Sequence, residues 1–116
     1  MSLLDLFFPR KCPYCLKLVE KGRLECDKCR SEFPKEPYIR TIPSGNECVS
    51  AFMYDSKIRD ALARYKFRGK REFYKSFGAV LANAVAESEI IADMVTSVPL
   101  SKKRLHMRGY NQSELI

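Results

Sequence analysis

Two Cys-x2-Cys knuckles, Cys12-Pro13-Tyr14-Cys15 and Cys26-Asp27-Lys28-Cys29, stand ten residues apart near the start of the chain. Each knuckle can wrap one metal ion from a tight turn. Four soft thiolates in a tetrahedral array select zinc, and a shell filled by protein leaves no open position for water or substrate. The site predicted from this spacing is structural. Cysteines in a short chain can also form a disulfide framework, but that requires an oxidising compartment. The apolar opening, Met1 to Phe8, is interrupted by Asp5, has no basic residue ahead of it and no small-residue cleavage site behind it. It does not read as a signal peptide, so the thiols are expected to stay reduced in the cytoplasm.

Arg10, Lys11, Lys28 and Arg30 flank the knuckles and favour ionised thiolates around a dication. The competing readings, a redox Cys-x-x-Cys pair or an iron-sulfur cluster, explain two knuckles at ribbon spacing less well. Cys48 falls in an apolar, strand-prone run and reads as a small buried hydrophobe. His106, the one histidine, lies far off in a basic stretch and is assigned no metal role. Leu16 to Val19 and Arg23 to Glu25 flank Glu20-Lys21-Gly22 as a short β-hairpin would, with one knuckle at each base.

Residues 1–33 therefore read as a zinc ribbon. Residues 34–46, with prolines 34, 37 and 43, read as a linker. From Glu47 the pattern changes to an α/β order. Glu47 to Tyr54 is strand-like, and Asp55 or Ser56 can cap a helix with Ile58, Ala61, Leu62 and Tyr65 on one stripe. After a turn at Arg68-Gly69, a second amphipathic helix carries Phe73, Phe77, Val80, Leu81, Ala84 and Val85. Met94 to Val98, ended by Pro99, reads as a buried strand. Asn111 with Glu114 looks like a capping box at the start of another helix. Two strands make no independently stable parallel sheet covered on both faces. Residues 47–116 are thus expected to be the front portion of a larger Rossmann-like domain, incomplete as it stands. The 116 residues exclude a complete large enzyme, and no apolar run approaches the ~18 residues a membrane span needs.

The net charge of +7 favours polyanionic partners, nucleic acid or phosphorylated small molecules. Two stretches concentrate it. One follows the predicted strand end: Pro99, Leu100, Ser101, Lys102, Lys103 and Arg104, then Arg108, Gly109, Tyr110, Asn111 and Gln112. Arg104 and Arg108 are four apart, so one helical turn would align two guanidinium groups for phosphate oxygens. A solvated basic loop would show the same charge pattern. The other stretch, Arg64, Lys66, Arg68, Lys70 and Arg71, alternates with Tyr65 and Phe67 as single-strand binding surfaces do. An amphipathic helix that buries both rings has the same alternation and is the favoured reading there.

The ribbon preceded by Leu3-Leu4-Asp5-Leu6-Phe7-Phe8-Pro9, the segment Tyr65-Lys66-Phe67-Arg68-Gly69, and Val98-Pro99-Leu100-Ser101-Lys102-Lys103-Arg104 followed by Arg108-Gly109-Tyr110-Asn111-Gln112-Ser113-Glu114-Leu115 together resemble the N-terminal half of the ComF family. These are bacterial competence proteins that resemble amidophosphoribosyltransferases. The resemblance implies a zinc ribbon followed by a type I phosphoribosyltransferase-like domain, and a role in handling DNA, single-stranded DNA above all, during natural transformation. It implies other competence or DNA-processing proteins, or a complementing chain, as partners. In a complete domain it implies phosphoribosyl pyrophosphate with Mg2+, with Pro99 to Arg104 near the pyrophosphate and Arg108 to Gln112 at the rim. The phosphoribosyl pyrophosphate loop, with its adjacent pair of acids, has no counterpart in these residues, so no catalytic residue is assigned and activity of the chain alone is not expected. Two further readings are kept: the front half of an active phosphoribosyltransferase, and a ribbon that docks a partner through Leu3, Leu4, Phe7 and Phe8.

Overall fold

The computed structural model describes residues 3–116; Met1 and Ser2, the first residues of the expected ribbon and of the apolar opening, lie outside the described residues. The elements in chain order are α1 (Leu3–Phe7), α2 (Asp27–Ser31), β1 (Tyr38–Thr41), β2 (Glu47–Ser50), α3 (Ser56–Phe67), a 3-10 turn (Arg71–Phe73), α4 (Tyr74–Glu87), α5 (Lys102–Arg108) and α6 (Gln112–Leu115).

The helices begin and end where local chemistry places them. Asp55 accepts the Ile58 N–H on Oδ1 at 2.8 Å and caps α3, which buries Ile58, Ala61 and Tyr65. Replacing it by Ala frees that donor and is expected to cost about 1 kcal/mol, read as a shift of the urea midpoint with an unchanged slope. After α3 the chain reverses at Gly69, whose φ of 66° suits glycine. α4 then buries Ser76, Phe77 and Ala84. Helix α5 ends at Gly109 in the left-handed conformation, φ 83°.

The core is a relay of aromatic rings that crosses the whole chain. Phe33 and Phe52 pack on Tyr14 at 5.0 and 5.7 Å, Tyr14 on Phe77 at 5.7 Å, Phe77 on Tyr65 at 5.5 Å, and Tyr65 on Tyr110 at 5.6 Å. Hydrogen bonds fix its far end: Tyr65 donates to the Gln112 carbonyl at 2.8 Å, and the Tyr110 hydroxyl donates to the Tyr65 carbonyl.

Several expectations are corrected. The sheet among the described residues is two-stranded and antiparallel, with Ile39 opposite Val49 and Arg40 opposite Cys48. Its first strand lies inside residues 34–46, expected to be a linker; the turn through Gly45 (φ 85°) lets both strands pair locally. Met94 to Val98 is not a strand. Among the described residues no strand pairs with it; the Val98 carbonyl accepts instead from the Asn111 side-chain amide at 3.1 Å, and Met94, Val95 and Val98 are 84%, 91% and 68% exposed. An apolar run takes strand geometry only where another strand satisfies its backbone. Between the knuckles there is no paired hairpin; the antiparallel contact is a single bridge, Lys11 to Leu18, around the first knuckle. Residues 23–26 instead bend into α2.

Candidate metal centre and basic groove

The first knuckle closes on its own backbone. The Cys12 N–H reaches the Lys17 carbonyl at 2.8 Å, the Leu16 N–H reaches the Cys12 carbonyl at 2.9 Å, and Leu16 turns the chain at φ 63°. In the second knuckle Cys26 caps α2, its sulfur accepting the Cys29 N–H at 3.4 Å. The four sulfurs of Cys12, Cys15, Cys26 and Cys29 all lie within 4.8 Å of one another, and those of Cys15 and Cys26 are 3.6 Å apart. A tetrahedral zinc with Zn–S near 2.3 Å needs sulfurs roughly 3.8 Å apart. The quartet fits that ion, and its soft donors suit it. Cys12 and Cys29 are buried, so the centre is closed to substrate and its role is structural.

The thiols are not equivalent. The Cys29 N–H holds the Cys26 thiol down at about 7, whereas burial pushes the Cys29 thiol up to about 12. Cys26 thus offers the readiest thiolate, and a cation must draw the proton from Cys29. Lys57, at the start of α3, pairs with Glu32 and lines the same cleft as Cys29, and the Glu32 carboxylate holds its ammonium well above the usual lysine range. A residue beyond the ribbon therefore helps neutralise the metal shell.

A buried polar chain ties the ribbon to α4. Ser76 Oγ donates to Glu25 Oε2 at 2.6 Å, Tyr14 Oη lies 3.0 Å from the same Ser76 Oγ, and Arg30 Nε pairs with Glu25 Oε1 at 3.1 Å. Nothing in the sequence signals this set, since Glu25 and Ser76 are 51 residues apart.

The basic residues separate into those that brace the fold and those that face solvent. Arg64 Nη1 donates to the Pro13 carbonyl at 3.1 Å and so anchors α3 to the first knuckle. The Arg71 guanidinium sits 6.0 Å from the Tyr110 ring centre, and Arg68 is exposed at the end of α3. Lys66, Lys103, Arg104 and Arg108 line one open groove of about 760 Å³, with Phe67, Leu100, Ser101, Met107 and Gln112. The two basic stretches converge there, and among the described residues no carboxylate lines it. Arg108 is held in place: its guanidinium lies 5.2 Å over the Phe67 ring and donates to Gln112 Oε1. Ser101 caps α5. Of the expected anion residues, Tyr110 is buried in the core because its ring completes the aromatic relay, so it forms no rim. Gly109 ends α5 and Asn111 caps α6, while Pro99 and Lys102 lie outside the groove lining. Sequence reasoning missed Met107 as a lining residue, and Phe67, read as helix packing, is 74% exposed.

The double zinc ribbon domain family matches residues 3–40, which carry the whole sulfur quartet and run into β1. Competence protein ComFC of Bacillus subtilis (strain 168) is similar to this chain, 31% identical over 70 residues. The chain is ComF-like. That match covers 58% of this chain and 28% of the relative, so the chain spans less than a third of the curated ComF protein it matches. No solved structure matches it. Among the described residues no helix is long and apolar enough to cross a membrane.

Proposed function

We propose that this ComF-like chain handles DNA taken up in natural transformation, holding the phosphates of a single strand in the groove between the end of α3 and α5. The observation that carries the reading is the convergence of Lys66, Lys103, Arg104 and Arg108 on one surface free of carboxylates. Cations without acidic neighbours exchange their counterions for phosphates, and the released ions drive binding. The zinc ribbon is the scaffold against which α3 is fixed, and it takes no chemical part. Similarity to a competence protein agrees with this role.

The test is fluorescence anisotropy of a labelled oligothymidylate with the zinc-loaded chain. Affinity is expected to fall steeply with salt, and Lys103→Glu with Arg104→Glu is expected to weaken binding at least tenfold. Absence of binding at low salt would end the reading.

A second reading uses the same groove for phosphoribosyl pyrophosphate with Mg2+, as in a phosphoribosyltransferase-like scaffold. It is favoured by Ser101 and Gln112, which add neutral hydrogen-bonding groups beside the cations as a small phosphorylated ligand requires. The ligand with Mg2+ should then displace the oligonucleotide and give a calorimetric signal that Arg104→Glu abolishes. No displacement and no heat would remove this second reading and leave the first.

A further inference from the structure

A second cleft, of about 490 Å³, opens where the N-terminal part of the ribbon meets the 3-10 turn and α4. Arg10 and Lys11 line it from the ribbon; Lys70 and Lys75 line it from the opposite module. Among the described residues none of these four side chains has a carboxylate partner, whereas Arg23, also at the cleft, is engaged with Asp27 and Glu20. Glu72 is the one acid on its wall among the described residues. Phe7 and Phe8 stand at the cleft, 72% and 76% exposed as residues, and buried Phe73 also contributes to its lining.

We propose that this cleft is a separate binding site for single-stranded nucleic acid, with Arg10, Lys11, Lys70 and Lys75 on the phosphates and Phe7 and Phe8 stacked on bases. The proposal rests on the reading that the chain binds single strands, and adds a site that the α3–α5 groove does not contain. Unpaired cations flanking a cleft fit a phosphate chain, and exposed rings beside them fit bases that have left a duplex. A lone inorganic phosphate would use the cations but leave the rings idle. A duplex would present no free base faces to them. The walls come from two modules that the Tyr14–Ser76–Glu25 chain holds together, so the site exists only in the assembled fold.

The experiment uses the full zinc-loaded chain, a labelled oligothymidylate, and two double variants: Lys70→Glu with Lys75→Glu, and Phe7→Ala with Phe8→Ala. All four residues are exposed, and zinc content with circular dichroism confirms that each variant is folded. The charge reversal is expected to weaken binding at least tenfold and to flatten the slope of log affinity against log salt by about one to two. The ring truncation is expected to weaken binding roughly tenfold with the salt slope unchanged. A duplex of equal length should compete poorly. If the unaltered chain binds and both variants keep its affinity and slope within twofold, or if duplex competes equally, this site is overturned while the groove reading stands. If the unaltered chain binds no single strand at low salt, both fall.

Discussion

Stripping zinc from the folded chain with a strong chelator is expected to unfold the ribbon and loosen the helices packed on it. A structural zinc contributes on the order of 10 kcal/mol to a small ribbon, and the apolar core inside residues 3–40 is too thin to replace it. Cys12, Pro13, Tyr14 and Cys29 are its buried apolar residues, and two of these belong to the sulfur quartet. Loss of the ion also frees Tyr14, the ring that joins Phe33 and Phe52 to Phe77, and leaves the buried Glu25 without a fixed partner in Ser76. Far-UV circular dichroism and metal analysis should therefore change together, and Cys29→Ser should reproduce the change without chelator. Acid should act in the same direction. Bound zinc requires four thiolates, protons compete for them, and metal affinity drops as pH falls below the ordinary thiol range. A metal-free chain with an unaltered spectrum would show that the quartet is not a structural centre.

Phe77→Ala is expected to have the second largest effect, a loss of about 3–5 kcal/mol. Phe77 is 5% exposed and is the ring through which the ribbon's Tyr14 reaches Tyr65 of α3 and, beyond it, Tyr110. Truncation opens a cavity at the seam between modules, where neither side can close the gap without moving the metal site. The urea midpoint should fall sharply, and the zinc off-rate to a competing chelator should rise, because the ribbon loses its backing. Leu81→Ala, on a more exposed part of the same helix, is the control and should cost far less. Equal losses at Phe77 and Leu81 would show that the relay is not the keystone of the fold.

Part of this architecture is legible along the chain. The sulfur quartet follows from two short turns, each of which sets its own geometry. The stripe Ile58, Ala61, Tyr65 and the Asp55 cap follow from contacts three and four residues apart. The expected strand at Met94 to Val98 fails for a physical reason: apolar, β-branched composition is compatible with a strand, but pairing depends on a neighbour that composition does not specify. The basic stretches show the converse. Arg64, Lys66 and Arg71 look alike in sequence, yet one is spent on the Pro13 carbonyl, one faces the groove, and one lies by Tyr110.

The sequence by itself determined the metal, its ligands, the two main helices and the excess of positive charge, because each depends on residue chemistry or on contacts within a turn or two. Only the tertiary structure decided which cations meet, that Tyr110 is core and not rim, and that Glu25 and Ser76 bond across 51 residues. Those outcomes depend on how the ribbon packs against α3 and α4. Packing is a sum of many weak, long-range contacts that no short window of sequence contains.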